Sequence, residues 1–125
     1  MNPYDNVLFS PSAPVAEVRL ISPNDPTNIS TVRLQIDTGA DVTLLPLSVI
    51  RAMGLSPLSN ITFALTTFDG EVRQAEAVRV HLKFEKYLFR GEYLLTEEPM
   101  GILGRDVLNS LRLVLDSPRL LWEIS

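Results

Sequence analysis

The sequence of 125 residues contains no cysteine and a single histidine, His81. The lack of cysteine excludes disulfide scaffolds, thiolate metal sites, iron–sulfur clusters and a thiol nucleophile, and one histidine cannot build a cage of several imidazoles. No apolar run approaches the roughly 18 residues that span a bilayer, and Met1 is not followed by the segments of a signal peptide. We therefore expect no metal, no cofactor and no membrane partner, and a cytoplasmic location.

Positive charge is the next scarce feature. The chain has 11 lysine and arginine residues against 15 aspartate and glutamate residues, a formal net charge of −4, and the basic residues are scattered. Proteins that track nucleic-acid phosphates need a basic stripe, so nucleic acid is not an expected partner. With 46% hydrophobic and 21% charged residues, this length suits one globular domain with its own core.

The sequence is rich in short segments that alternate apolar and polar residues, the period of half-buried strands. Residues 16–20 and 32–36 follow this pattern on either side of a turn rich in proline and asparagine at 22–26, which predicts a β-hairpin. Asp69-Gly70 predicts a second hairpin turn. The other predicted strands are 61–67, 71–83, 86–95, 113–115 and 120–124. These segments predict an all-β fold.

Two short helices are expected among the strands. Pro46 opens a helical segment at 47–53, and Asp106 is in position to cap a second helix that runs to about Leu111. Residues 1–14, which carry three prolines, predict an extended N-terminal arm. Residues 15–125 then form the domain.

One cluster of residues carries chemistry, Asp37-Thr38-Gly39-Ala40-Asp41, directly after the alternating strand 33–36. A second motif is Ile102-Leu103-Gly104, which is followed by Arg105 and a predicted helix. The Asp69-Gly70 hairpin lies between the two motifs. These three features in this order resemble the retropepsin-like aspartic proteases, the single-domain retroviral type, and they cover most of the chain.

The resemblance implies a closed, barrel-like acid-protease fold with a flap hairpin, which functions as a symmetric homodimer. It implies that Asp37 is the catalytic carboxylate and that Thr38 and Gly39 support the catalytic loop. In this family the threonine hydrogen-bonds across the dimer axis. The glycine lets backbone amides approach the carboxylate, because it has no Cβ.

The same resemblance implies roles in substrate binding. Ala40 and Asp41 would lie beside the substrate backbone, and Ile102 would line an apolar pocket. Phe68-Asp69-Gly70 would form the tip of a flap that closes over an extended peptide. Asp41 would also form a structural ion pair with Arg105.

The chemistry explains why a single Asp-Thr-Gly is half of a site. Hydrolysis of a peptide bond without a metal needs one group to activate water and another to protonate the carbonyl oxygen. Two carboxylates about 3 Å apart do both, because they cannot both ionise and so share one proton, as in pepsin. Asp116-Ser117-Pro118 has proline where the glycine is needed, so the chain offers no second copy of the motif. The second Asp37 is therefore expected from a second copy of the chain.

Three functions remain open from the sequence. The first is an active homodimeric aspartic endopeptidase that cuts peptides in extended conformation, which the intact Asp37-Thr38-Gly39 favours. The second is a catalytically inactive peptide-binding or dimerisation module of the same fold. The third is an unrelated small β-barrel with a chance match. In the retroviral members the termini of both chains interleave, whereas this chain continues from Ser117 beyond their usual last strand. The resemblance therefore does not predict how the termini of this chain contribute to a dimer interface.

Overall fold

Strands dominate the structure, a computed structural model that describes residues 1–58, 62–66 and 69–125. The strands in chain order are β1 (Asn2–Pro3), β2 (Val15–Ile21), β3 (Ile29–Ile36), β4 (Leu44–Pro46), β5 (Thr62–Thr66), β6 (Val72–Phe84), β7 (Tyr87–Thr96), β8 (Gly101–Leu103), β9 (Leu113–Asp116) and β10 (Leu121–Ile124). The helices are α1 (Leu47–Ala52), α2 (Arg105–Leu108) and a 3₁₀ turn (Ser117–Arg119). The expected all-β class with short helices is confirmed.

Six strands close into a barrel. Their order in the described sheet is β2-β3-β8-β4-β7-β6, and β2 pairs with β6 as well, which closes the ring. β5 adds to the first half of β6 as the other arm of a hairpin, in the register Thr66↔Val72. Ile61 and Thr67, the ends of the predicted strand 61–67, lie outside the described residues.

The alternating segments fold as their pattern predicts. β2 and β3 form an antiparallel hairpin from Val15↔Gln35 to Ile21↔Ile29. In β2 the residues Ala16, Val18 and Leu20 are fully buried, whereas Glu17 and Arg19 are exposed. Burial of apolar side chains is the main driving force for such a core. The largest fully buried side chains are Phe84, Leu20, Leu34, Leu45, Ile50, Leu82 and Leu103.

The short strand β8 lies between β3 and β4. It runs parallel to β3, in the register Ile36↔Leu103, and antiparallel to β4, where Ile102 faces Leu44. The segment from 37 to 43 that connects β3 with β4 must therefore pass over the end of β8. This arrangement brings the two sequence motifs together.

The chain ends form a second, smaller sheet of order β1-β10-β9 in the described part of the chain. β10 pairs with β9 as a hairpin, and β1 adds to its other side in the register Asn2↔Trp122. Trp122 is buried, and its ring lies 5.9 Å from that of Phe84, which attaches this sheet to the barrel core. Both termini are thus paired within one copy of the chain.

The first 14 residues contact the domain at several points. The backbone groups of Asp5 and Ala13 exchange hydrogen bonds of 2.7 and 3.0 Å. The buried Asp5 carboxylate accepts the N–H groups of Val7 and Leu8 and binds the Arg33 guanidinium at 2.8 Å. The division into an arm, 1–14, and a domain, 15–125, stays a prediction.

The helices are close to their predicted positions but shorter. Helix α1 spans Leu47–Ala52, with Met53 as its C-cap residue. Gly54 follows with a left-handed φ of +72°. The second predicted helix is too long, because α2 ends at Leu108 and the N–H of Leu111 donates to the Leu108 carbonyl in a tighter turn. In the described residues no helix is long and apolar enough to cross a membrane.

Candidate active site

Asp37 lies at the end of β3, where the strand leaves the sheet. Its N–H donates to the carbonyl of Leu103 in β8 at 3.1 Å, so its backbone is fixed by the neighbouring strand. Its side-chain Oδ1 accepts the N–H of Gly39 at 2.9 Å, and the residue is half-buried. The Gly39 N–H thus fixes one oxygen of the carboxylate, and part of the side chain remains accessible.

Gly39 is placed where a larger residue would crowd this carboxylate. A Cβ on Gly39 would lie 3.2 Å from Asp37 Oδ1, closer than most real Cβ contacts. Thr38, between them, is exposed, and its carbonyl accepts a hydrogen bond of 2.8 Å from Arg105 Nη1. The two motifs therefore meet at the Asp37 loop, residues 37–43.

Arg105 is fixed to this loop differently from the prediction. Its N–H donates to the carbonyl of Ala40 at 2.9 Å, and its guanidinium donates to Thr38. Among the residues that the structure describes, no ion pair joins Arg105 to Asp41, which is exposed. The predicted ion pair is not formed within one copy, because the guanidinium takes a backbone carbonyl as its acceptor instead.

A buried threonine, which the sequence analysis did not assign to the site, holds the other end of the loop. Thr43 is fully buried, and its hydroxyl donates to Asp106 Oδ1 at 2.6 Å while accepting the N–H of Gly104 at 3.0 Å. Its own N–H donates to Asp106 Oδ2 at 3.1 Å. The only sequence signal for this network was the polar Thr43 within an apolar segment, since a buried hydroxyl requires partners.

Asp106 was expected to cap the second helix, and that expectation is wrong. The residue that precedes α2 is Gly104, with no side-chain cap, and Asp106 lies within the first turn. Its carboxylate accepts the N–H of Val107 at 2.9 Å as well as both Thr43 groups. Asp106 therefore links α2 to the Asp37 loop.

Gly104 allows this link to be close. A Cβ on Gly104 would lie 2.5 Å from both the carbonyl carbon and oxygen of Val42 and 3.0 Å from the nitrogen of Thr43. All three are backbone atoms, so no side chain can move away. Glycine at this position of the second motif thus permits the backbone of the loop to lie against the start of α2.

The hairpin β5–β6 projects beside the same region. Asp69 and Gly70 lie at its turn, where Gly70 has a φ of +84°, as the predicted Asp-Gly turn requires. Phe68 lies outside the described residues. Between this hairpin and β4 is a cavity of about 400 Å³, whose walls combine apolar residues (Leu44, Leu65 and Leu95) with acidic ones (Glu76, Glu97 and Glu98). Ile102, the predicted pocket residue, is half-buried and pairs with Leu44 at the edge of this region.

A second depression begins at Thr38 of the loop. It has a volume of about 430 Å³ and extends from Thr38 and Arg105 to the apolar residues that follow α2. We call it the Thr38 groove; its apolar lining residues are Leu108, Leu111, Leu113 and Leu115.

The electrostatics of the described residues include one perturbed group close to the site. Burial, with a smaller contribution from the negative charge of Asp106, raises the pKa of Tyr93 to about 12. In the described part of the chain, no group of three or more histidine, cysteine, aspartate or glutamate residues is placed to hold a metal ion.

Two features define the class of retropepsin-like aspartic proteases. One is the closed barrel, and the other is an Asp-Thr-Gly loop that packs against a second motif containing a glycine, here Ile102-Leu103-Gly104. The family described as "gag-polyprotein putative aspartyl protease" matches residues 27–110, about two thirds of the chain, and the chain belongs to this family. The matched range includes the Asp37 loop and α2.

Comparison with solved structures supports the same fold. The protease of EIAV, solved in complex with the inhibitor HBY-793, is similar with a TM-score of 0.63 and 21% sequence identity, over 85% of this chain and 91% of that one. No curated protein sequence matches the chain.

Proposed function

We propose that this protein is an aspartic endopeptidase whose catalytic dyad consists of Asp37 from each of two identical chains. The observation that carries the proposal is the placement of Asp37, half-buried at the end of β3, with one oxygen fixed by the N–H of Gly39 and its loop attached to β8 and α2. The family to which the chain belongs supports the same chemistry.

In the proposed mechanism, two Asp37 carboxylates share one proton. The ionised carboxylate takes a proton from a water molecule, which attacks the carbonyl carbon of the peptide bond, while the protonated carboxyl gives its proton to the carbonyl oxygen. The C–N bond of the tetrahedral intermediate then breaks as the carboxyl that took the proton from water gives it to the amine nitrogen, while the other carboxylate takes a proton from a hydroxyl of the intermediate, which becomes the new carboxylic acid. Pre-organised loops are important here, because a misplacement of about 1 Å can cost a factor of about 10² in rate.

The surroundings of Asp37 support an extended peptide as the substrate. The hairpin β5–β6 and β4 enclose the cavity of about 400 Å³, whose leucines can contact an apolar side chain next to the cut bond. Ala40, Asp41 and Ile102 stay predictions as substrate contacts, and Asp69 and Gly70 as part of the flap tip. Backbone groups of such a hairpin can bind a peptide of any sequence by strand addition.

The need for a second chain follows from the count of catalytic loops. The chain carries one Asp-Thr-Gly, and the reaction requires two carboxylates. Thr38 is exposed at the mouth of the Thr38 groove, where a second loop can reach it. Its predicted hydrogen bond across the dimer axis therefore belongs to this proposal.

The test is mass spectrometry of a peptide library incubated between about pH 4 and pH 7 with the wild type and with Asp37→Asn. We expect the wild type to cleave peptides with a bell-shaped pH dependence. The cleavage rate of the variant should be lower by about 10²–10⁴-fold. Asp25→Asn, in an exposed turn of β2–β3, is the matched control and should cleave like the wild type. Equal cleavage by Asp37→Asn contradicts the proposal, and binding of peptides without cleavage by a folded dimer indicates an inactive module.

A further inference from the structure

One outer face of the barrel gathers basic side chains that are scattered along the sequence. β2, β6 and β7 lie side by side, and the residues that alternate with their buried side chains point away from the core. We call the outward surface at the centre of these three strands the basic face. Its residues are Arg19, Ile21, His81, Lys83, Leu88 and Arg90.

The register of the strands places basic residues opposite each other on this face. Arg19 is the partner of Lys83 across β2 and β6, and His81 is the partner of Arg90 across β6 and β7. Facing side chains in an antiparallel pair have Cβ atoms about 4.5–5.5 Å apart, where like charges are destabilising. Within the part of the chain that the structure describes, Arg19, Lys83 and Arg90 form no ion pair. The fold therefore holds Arg19 and Lys83 side by side without an acidic partner.

The same sheet pairs opposite charges elsewhere. Glu17 faces Arg33 across β2 and β3. Arg79 faces Glu92 across β6 and β7, where the two side chains are bonded at 2.7 Å. The facing cations are thus a local feature of the basic face and not the general pattern of the sheet. Places where a folded chain breaks such a local rule are typically functional sites.

Charge and apolar area together indicate what this face can bind. Arg19, Lys83 and Arg90 contribute +3 to a chain with a formal charge of −4, which leaves −7 for the remaining residues. Leu88 lies beside Lys83 and is 45% exposed, and Ile21 adds further apolar area. A ligand that carries both carboxylates and apolar side chains complements such a surface.

We propose that the basic face binds a short acidic segment of another protein. The carboxylates of the segment lie against Arg19, Lys83 and Arg90, and an apolar side chain of the segment lies against Leu88. The inference goes beyond the proposed function, because it involves no cleavage. Asp37 follows the opposite end of the β2–β3 hairpin from Ile21, so the two sites are separate.

A nucleic acid suits this surface less well than a short acidic segment. Sites for nucleic acid need a longer row of cations and commonly add aromatic side chains on which bases stack. Here Glu17 and Glu85 line the same depression as Arg19 and Lys83, and they limit the basic face at one end. These carboxylates and the acidic remainder of the chain repel a long polyanion.

The first test measures the binding of a labelled peptide by fluorescence anisotropy. The peptide is Glu-Ser-Leu-Ser-Glu-Ser-Leu-Ser-Glu, in which glutamates and leucines share one side of an extended chain. We expect the wild type to bind it with a Kd below about 1 mM, and more weakly as the salt concentration rises. The same peptide with glutamine in place of glutamate should bind at least about tenfold more weakly. Equal binding of the two peptides, or tighter binding of a short single-stranded oligothymidylate, overturns the proposal.

Charge reversal then locates the site on the protein. Arg19→Glu/Arg90→Glu should lower the affinity for the acidic peptide by more than about tenfold. The matched control is Arg51→Glu/Arg112→Glu, which changes the net charge equally at two exposed arginines outside the basic face. Near 0.15 M salt it should change the affinity by less than about twofold, since charges at a distance are screened. Circular dichroism checks that both variants are folded, and equal losses of affinity in the two overturn the proposal.

Lys83→Glu adds a measurement that a purely structural role of the lysine would not explain. The variant turns the facing pair with Arg19 into one of opposite charges. The melting midpoint should therefore rise by about 1–4 °C while the affinity for the acidic peptide falls. A lower midpoint would mean that the lysine stabilises the fold, and would contradict the proposal.

The two proposals fail separately in these experiments. Asp37→Asn should bind the acidic peptide as tightly as the wild type, and a loss of binding would place the peptide at the candidate active site and overturn the inference. A protein that binds the acidic peptide through the basic face but cleaves nothing contradicts only the proposed function. An Asp37-dependent protease that does not bind the acidic peptide contradicts only the inference about the basic face.

Discussion

Two aspartates organise two loops of this protein in different ways. Asp106 accepts both the hydroxyl and the N–H of Thr43, a residue 63 positions earlier in the sequence. Asp5 accepts the N–H groups of Val7 and Leu8, its own neighbours, and binds the exposed Arg33. One carboxylate connects distant parts of the chain, and the other mainly shapes its own turn.

The difference shows which contacts the geometry of the Asp37 loop depends on. The Asp37 loop is attached to α2 by a buried bond, between the Thr43 hydroxyl and the Gly104 N–H, and loss of that bond leaves a desolvated partner behind. The N-terminal loop is held by local bonds to the buried Asp5 carboxylate and by a guanidinium that is 51% exposed, and none of these bonds involves the Asp37 loop. Substitutions in the Asp106 network should therefore lower peptide cleavage, whereas substitutions in the Asp5 network should lower only the stability of the fold.

The strongest way to break the first network is Gly104→Ala. The new Cβ would meet backbone atoms of Val42 at 2.5 Å, so we expect a loss of about 1–3 kcal/mol or more in the free energy of unfolding and a loss of peptide cleavage. Urea denaturation and the cleavage assay measure the two effects. Gly91→Ala is the matched control, because its Cβ would meet only Tyr93 Oη, at 4.0 Å. Equal stability of the two variants would contradict the close packing.

Thr43→Val tests the hydroxyl with almost no change of shape. It leaves the buried N–H of Gly104 without its partner and removes one of the three donors to Asp106, which should cost about 1–3 kcal/mol of unfolding free energy and lower cleavage further than stability alone explains. Thr43→Ser keeps the hydroxyl and should retain most of both properties. If the serine and valine variants behave alike, the hydroxyl bonds are not what fixes the loop.

Asp5→Asn tests the second network and has a pH signature. The Leu8 N–H above all, with the Val7 N–H and Arg33, holds the pKa of the Asp5 carboxyl below its ordinary value of 3.8 despite its desolvation. A lowered folded pKa gives stability that is complete above the unfolded value and is lost as the pH falls through the folded value. Denaturation at several pH values should therefore show the wild type more stable near pH 7, and a difference that closes below about pH 4. If the difference in stability between the wild type and Asp5→Asn persists at the lowest pH, ionised Asp5 is not its source. The rate of cleavage per dimer should be the same in both proteins.

The smallest expected effect is on the titration of Tyr93. Its pKa of about 12 has burial as its main cause and the charge of Asp106 as the second, so Asp106→Asn should lower it slightly while Asp5→Asn leaves it unchanged. The absorbance change of tyrosinate at alkaline pH measures this, and Tyr93→Phe identifies the signal. Because the folded pKa lies above the ordinary value of 10.0, the wild type should also lose stability as the pH rises above 10.

Local patterns in the sequence predicted much of the fold but little of what joins its parts. The alternation in 16–20 and 32–36 predicted the β2–β3 hairpin, and Asp-Thr-Gly predicted where the loop would lie, because both depend on neighbouring residues. The Thr43–Asp106 bond and the pairing of β1 with β10 join residues far apart in sequence, so no local pattern contains them. The Arg105 guanidinium donates to the carbonyl of Thr38 and not to Asp41. Both acceptors lie at a similar distance from Arg105 along the chain, so only the three-dimensional geometry decides between them.

The position of β8 between β3 and β4 has a consequence for the timing of synthesis. Asp37 needs the carbonyl of Leu103 for its backbone bond, and Arg105 reaches Thr38 from 67 positions further along the chain. While the chain emerges from a ribosome N-terminus first, the Asp-Thr-Gly segment is exposed long before the strand that fixes it. A nascent chain therefore carries the Asp37 carboxylate without its scaffold until almost the whole domain has been made.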